Sequence, residues 1–234
     1  MTTLVLLHAF PMDSRMWDGV RSLPGLITPD LPGFGSAPLP ASEPDLGAMA
    51  DAVIASMDDE GVERAVVGGC SMGGYVAMAL LRKAPARVSG LLLVDTKATA
   101  DAQEAAANRL AVAERAEREG ITPWLADAML PSLVADPAHA GVVRELMESQ
   151  DPAAVAWAQR AMAARPASHD VLRTSVPTLV VHGAEDRMMP VALAEELADL
   201  TSGTLTVLPG VGHLPPIEAP EAFAAAVRPW LAGL

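Results

Sequence analysis

Apolar runs of strand length, continuous rather than alternating, recur along this chain between longer segments of helical periodicity. Thr3–Ala9 (TLVLLHA), Leu26–Asp30 (LITPD), Arg64–Cys70 (RAVVGGC), Gly90–Thr96 (GLLLVDT), Thr178–Gly183 (TLVVHG) and Thr204–Gly210 (TLTVLPG) read as six strands. A strand that is apolar on both faces must be covered on both, and a parallel sheet flanked by helices provides that cover. Strand and helix in alternation therefore predict an α/β fold: a parallel sheet of about six strands, joined by right-handed crossovers, with helices on both faces.

The helical stretches carry their own start and stop signals. Asp13–Leu23 places Met16, Trp17 and Val20 on one face behind a cap at Asp13. Asp45–Gly61 repeats Leu46, Met49, Val53 and Met57 at helical spacing and stops at glycine. GGYVAMALLRKAP runs to Pro85, while MPVALAEELADL and PEAFAAAVRPWL each open with a proline near the first turn.

From Lys97 to His169 there is no convincing strand, only helical segments broken by Gly120, Pro131, Pro137 and Pro152. That is too much helix for one crossover. The expected organisation is a core domain of residues 1–96 and 170–234, with a helical cap inserted at 97–169. Trp124, Met129, Met147, Trp157 and Met162 are the large apolar side chains of the insertion. They fill the cap's own core, or some of them line a ligand pocket beneath it.

Composition narrows the function. The 234 residues carry 29 acidic against 16 basic groups, a formal charge of −13. Such a surface repels phosphate backbones and anionic lipids, so neither a nucleic acid nor a membrane is an expected partner. Cys70 is the only cysteine, so no internal disulfide can form. The start, MTTLVLLHAFPMD, lacks a basic region and reads as a buried strand rather than a signal peptide. No run of about 18 apolar residues could span a bilayer. The expectation is a soluble, cytoplasmic monomer or homodimer acting on a small molecule. No metal-ligand spacing is visible, and no metal or cofactor is expected.

Chemistry concentrates in VVGGCSMGGYVAMALL, where Cys70 and Ser71 stand side by side. Gly69-Cys70-Ser71-Met72-Gly73 satisfies G-x-S-x-G; the frame centred on Cys70 would need glycine at Met72. A nucleophile on a sharp strand-to-helix turn tolerates no side chain two residues to either side, so Gly69 and Gly73 select Ser71. The pentapeptide alone is a weak signal, but a strand before it and a helix after it are the context it requires. Of the five histidines, His213 sits in LPGVGHLPPIEAP, a loop after the last strand, where residues converge on a site. HGAEDRMMP offers Glu185 and Asp186, and Asp186 is the preferred acid; Asp95, at another strand end, competes. The backbone N–H of Met72 and that of Phe10, in the loop HAFPMD, are the candidate oxyanion donors.

Five segments in this order, LLHAFPMDSRMW, PDLPGFGSA, GCSMGG, VHGAEDRMMP and GVGHLPPIEAPEAF, resemble the α/β-hydrolase superfamily over nearly the whole chain. The resemblance implies Ser71, Asp186 and His213 as triad, Phe10 and Met72 as oxyanion hole, and structural roles for His8 and His182. It also implies a fold lacking the family's first two strands. Ala9 departs from the glycine common after the histidine. The DSRMWD loop and helical insertion are most similar to a carboxylesterase or 3-oxoadipate enol-lactonase-like branch, whose dianionic lactone would want basic groups such as Arg109, Arg115 or Arg160 in the pocket.

These readings predict a serine hydrolase of a small to medium, largely apolar ester or lactone, working through an acyl-enzyme. Carbon–carbon bond hydrolases and cofactor-free perhydrolases share the triad, and a ligand-binding protein on the same scaffold is the alternative from a different class.

Overall fold

A computed structural model describes residues 2–234. Six strands form one sheet: β1 (Leu4–Leu7), β2 (Leu26–Ile27), β3 (Ala65–Cys70), β4 (Val88–Val94), β5 (Thr178–Gly183) and β6 (Thr204–Leu208). Every pairing is parallel, and the order is β2-β1-β3-β4-β5-β6. All residues of β1, β3 and β5 are buried, which is why these runs are apolar on both faces, whereas the edge strand β6 is mostly half-buried or exposed.

Helices α1 (Leu46–Asp59), α2 (Met72–Lys83), α8 (Val191–Thr201) and α10 (Pro220–Ala232) cover the sheet. Their buried faces follow the sequence pattern: Leu46, Met49, Val53 and Met57 on α1, and Phe223, Val227 and Leu231 on α10. Gly61, at φ +67, takes the left-handed backbone that ends α1. One expected helix changes type. Asp13–Leu23 forms a 3-10 helix over Ser14–Val20, with Met16, Trp17 and Val20 buried as predicted and the Asp13 side chain accepting the Arg15 N–H at 3.0 Å.

Between β4 and β5 lie α3 (Gln103–Glu119), α4 (Trp124–Leu133), α5 (Ala140–Glu148) and α6 (Pro152–Ala164), followed by the short α7 (His169–Leu172). No strand occurs in this stretch. Pro131, expected to separate helices, lies inside α4. It falls in the last turn, where little helix follows to be disrupted.

The strand order places the site. From β1 the chain moves outward to β2, then returns to the opposite side of β1 for β3. Sequence-adjacent crossovers therefore diverge at β1 and β3, which opens a crevice at their carboxyl ends. The short helix α9 (Pro215–Glu218) closes the loop that follows β6.

Candidate active site

Ser71 stands at the turn between β3 and α2 with φ 52 and ψ −110, a backbone conformation strained for a residue with a side chain. Its surroundings hold it there: its N–H donates to Val94 O at 2.9 Å, and Thr96 Oγ1 donates to Ser71 O at 2.9 Å. The flanking glycines are sterically required. A Cβ on Gly69 would lie 2.3 Å from Gly73 C, and one on Gly73 would lie 2.1 Å from Leu7 O. Cys70, by contrast, is fully buried, with Sγ 3.5 Å from His213 O. Burial pushes its thiol well above the ordinary range, the opposite of what an attacking thiolate needs.

His213 donates from Nδ1 to Asp186 Oδ2 at 2.7 Å. The other oxygen of Asp186 accepts the N–H groups of Met188 at 2.7 Å and Met189 at 3.0 Å. Burial opposes charge on Asp186, but the His213 hydrogen bond and these backbone donors outweigh it and hold the carboxyl below its usual range. Nε2 of His213 is buried and has no hydrogen-bond partner in the protein. The loop is pinned from outside: His213 N–H donates to Leu133 O at 3.0 Å, and Glu218 accepts the N–H groups of Ala135 at 2.7 Å and Leu214 at 3.2 Å. Glu218 lies inside the GVGHLPPIEAPEAF segment, yet nothing local marks it as a brace, since Ala135 comes within its reach only on folding.

Asp95, the competing acid, points elsewhere. Its Oδ1 accepts the N–H of Gly183 at 2.9 Å and lies 3.2 Å from His182 Nδ1. Burial, then the neighbouring charge of Asp186, pushes its carboxyl well above the usual range. Donor atoms of Asp95, Asp186 and His213 fall within 4.8 Å of one another. The direct Asp186–His213 hydrogen bond leaves no space for a cation between those two. His8 is buried and neutral, donating from Nδ1 to Ala9 O and accepting the Leu31 N–H at Nε2; burial lowers its basicity. It braces the loop after β1.

A cavity of about 380 Å³ lies over these groups and is lined by Ser71, His213 and Phe10. Met72 opens α2 beneath it. Of the large side chains singled out between residues 97 and 169, Trp124, Met129 and Met162 line the cavity. Met147 and Trp157 do not. Met147 is buried on α5, and Trp157 on α6 turns its indole N–H to Ser42 O at 3.0 Å. Met188 and Met189, just past Asp186, also line the cavity, as does Tyr75 on α2. Helical periodicity shows that a side chain is buried but not which neighbour it meets, so these assignments needed the fold. Arg109 faces the cavity. Arg115 instead lies over the Trp124 ring at 4.1 Å, and Arg160 pairs with Glu117 at 2.6 Å.

A parallel sheet with its helical insertion, a serine on a glycine-flanked turn, and a carboxylate–histidine pair at the same edge define an α/β hydrolase. The chain belongs to the alpha/beta hydrolase family, whose model matches residues 4–226. The pimeloyl-[acyl-carrier protein] methyl ester esterase of Aromatoleum aromaticum is 31% identical over 249 residues, spanning 96% of this chain and 96% of that protein. A thermophilic esterase from Thermogutta terrifontis, solved with malate bound, superposes with a TM-score of 0.95 at 38% identity, covering 100% of this chain and 90% of the other. The enol-lactonase of Burkholderia xenovorans LB400 shares the fold, with a TM-score of 0.88 at 24% identity over 99% of this chain and 92% of that one. The chain is thus a hydrolase of this family. Among the described residues, no helix is long and apolar enough to cross a membrane.

Proposed function

We propose that the protein is a serine hydrolase of carboxylic esters or lactones. The observation that carries this reading is the convergence of Ser71, Phe10 and His213 on one cavity, with His213 held by Asp186 at 2.7 Å. Nε2 of His213 takes the Ser71 proton as Oγ attacks the ester carbonyl; the tetrahedral intermediate collapses to an acyl-serine, and His213 returns the proton to the leaving alcohol. Water deprotonated by His213 then releases the acid and restores Ser71. Asp186 keeps the proton on Nδ1 and stabilises the imidazolium. The N–H groups of Phe10 and Met72 receive the oxyanion, with the N-terminal end of α2 adding favourable dipole. Helices α3, α4 and α6 act as a cap that roofs the cavity and excludes water. Its walls, Val112, Trp124, Leu125, Met129, Leu133 and Met162, favour a largely apolar acyl or alcohol chain. The esterase names of the relatives in Aromatoleum aromaticum and Thermogutta terrifontis support an ester as substrate.

The test is hydrolysis of a series of methyl and p-nitrophenyl esters of increasing chain length, wild type beside Ser71→Ala and Cys70→Ala. Ser71→Ala is expected to lose roughly 10⁴-fold or more in kcat, while Cys70→Ala stays active. Turnover that survives Ser71→Ala defeats the proposal.

A further inference from the structure

A second cavity, of about 350 Å³, lies behind one wall of the active-site cavity. Its lining mixes apolar Leu46, Ala79, Ala98 and Pro166 with charged side chains. Among the described residues, Tyr75 alone lines both this cavity and the one that holds Ser71 and His213. Residues four apart on a helix lie one above the other on the same face. Ser71 at the start of α2, Tyr75 one turn on and Ala79 one turn further therefore follow one line along the helix: nucleophile, partition, second cavity.

The partition is held rigidly. Tyr75 is 3% exposed, and the Arg165 guanidinium lies over its ring at 4.0 Å. That guanidinium is itself committed, donating to Asp101 at 2.8 Å, to Met162 O at 2.9 Å and to Thr99 O at 3.1 Å. The Tyr75 hydroxyl is buried with no hydrogen-bond partner in the protein, so it adds nothing to this hold. The aromatic ring, packed between α2 and Arg165, is what separates the two cavities.

We propose that the Tyr75 ring is the steric stop that sets the longest substrate chain the enzyme accepts. The inference rests on the serine-esterase reading and refines it: the substrates are esters whose apolar chain ends within the first cavity, of about 380 Å³. Removing the ring joins the two cavities into a space about twice as large. A longer chain then reaches Leu46, Ala79, Ala98 and Pro166, and each methylene buried there raises kcat/KM by up to about fourfold.

The experiment measures kcat/KM for p-nitrophenyl esters from acetate to decanoate and for acetates of alcohols from ethanol to decanol, so that a stop on either arm of the ester is found. Wild type should rise with chain length in at least one series, pass a maximum and fall about tenfold or more beyond it. In Tyr75→Ala and the milder Tyr75→Val the maximum moves to longer chains, and chains just past the wild-type limit gain about tenfold or more. In Tyr75→Phe, which keeps the ring, the limit stays. Adding Ala79→Phe to Tyr75→Ala refills the second cavity and brings the limit back, while the same substitution alone leaves the wild-type profile as it was.

Three results would overturn the stop and leave the esterase reading intact: no fall up to decanoate and decanol, a limit unmoved in whichever truncated variant folds, or a gain that Ala79→Phe does not reverse. If no ester is turned over, the esterase reading fails and binding decides, by calorimetry on Ser71→Ala with methyl ketones of increasing chain length. Affinity that levels off with length in Ser71→Ala but keeps rising once Tyr75→Ala is added supports the stop, and parallel curves overturn it. Melting temperatures confirm which variants fold.

Discussion

Asp95 and Gly183 tie together the ends of β4 and β5: Oδ1 of Asp95 accepts the Gly183 N–H at 2.9 Å. This bond needs Asp95 in a left-handed backbone conformation, φ 41, which is strained for a residue with a side chain. The other oxygen is buried, with no donor available to it. Asp186 has an oxygen within 4.8 Å of an Asp95 oxygen. Burial and that neighbouring charge push the Asp95 carboxyl well above its usual range, while the His213 hydrogen bond holds Asp186 below its own.

Asp95→Asn should therefore be nearly silent, because the amide keeps the oxygen that accepts the Gly183 N–H and is uncharged, the form that burial favours for the acid. We expect kcat/KM on any turned-over ester within a few-fold of wild type. Asp95→Ala leaves the Gly183 N–H without a partner and should cost about 1–3 kcal/mol of stability, along with a loss of activity. Urea unfolding and steady-state kinetics on the two variants separate these outcomes. A severe activity loss in the asparagine variant would show that Asp95 works as an anion.

The same residue sets a pH trend. A carboxyl whose value is raised on folding binds more protons in the folded than in the unfolded state. Stability then falls as pH rises from the unfolded value, about 3.9, toward the raised folded one. Asp95→Asn removes that slope. Melting temperatures from mildly acidic to mildly alkaline pH should decline less steeply in the variant than in wild type.

Asp101 has the opposite sign. Burial opposes its charge, but the hydrogen bonds from Arg165 and Arg109 hold its carboxyl far below the usual range. Its contribution is complete above the unfolded value and is lost only as pH falls through the depressed one. Asp101→Asn strands Arg165, whose side chain is only 3% exposed, and should cost about 3 kcal/mol at neutral pH. Chemical denaturation at neutral pH checks the magnitude.

Gly73→Ala should be worse tolerated than any surface change. Its Cβ would meet the carbonyl of Leu7 in β1, a backbone group that cannot swing aside. A loss of about 3 kcal/mol or failure to accumulate folded protein is expected, whereas Gly141→Ala, with open space around the added methyl, should be neutral. Circular dichroism melts of both variants provide the comparison.

Cys70 should resist iodoacetamide in the folded protein and react once denatured, because its thiol is fully buried and held protonated by its surroundings. Rapid alkylation of native protein, followed by mass spectrometry, would contradict this.

Local pattern determined much of this protein. The apolar runs became strands and all six appear, with β1, β3 and β5 buried throughout and the edge strands β2 and β6 left partly open. The glycines at 69 and 73 singled out Ser71 over Cys70, because the clash they avoid is a property of the turn itself. Those features depend on residues near each other in the chain. The sequence prefers Asp186 to Asp95, but the geometry behind that preference is not local: both acids follow strands, and only the packed sheet edge turns one toward His213 and the other toward Gly183. The same held for the cavity wall. Periodicity marked Met147 and Trp157 as apolar no less than Met129 and Met162, yet α5 and α6 turn the first two away from Ser71. Tyr75 and Arg165 come from α2 and the end of α6, far apart in sequence. That one lies over the ring of the other is settled by tertiary packing, since a contact across such a distance exists only once the helices meet.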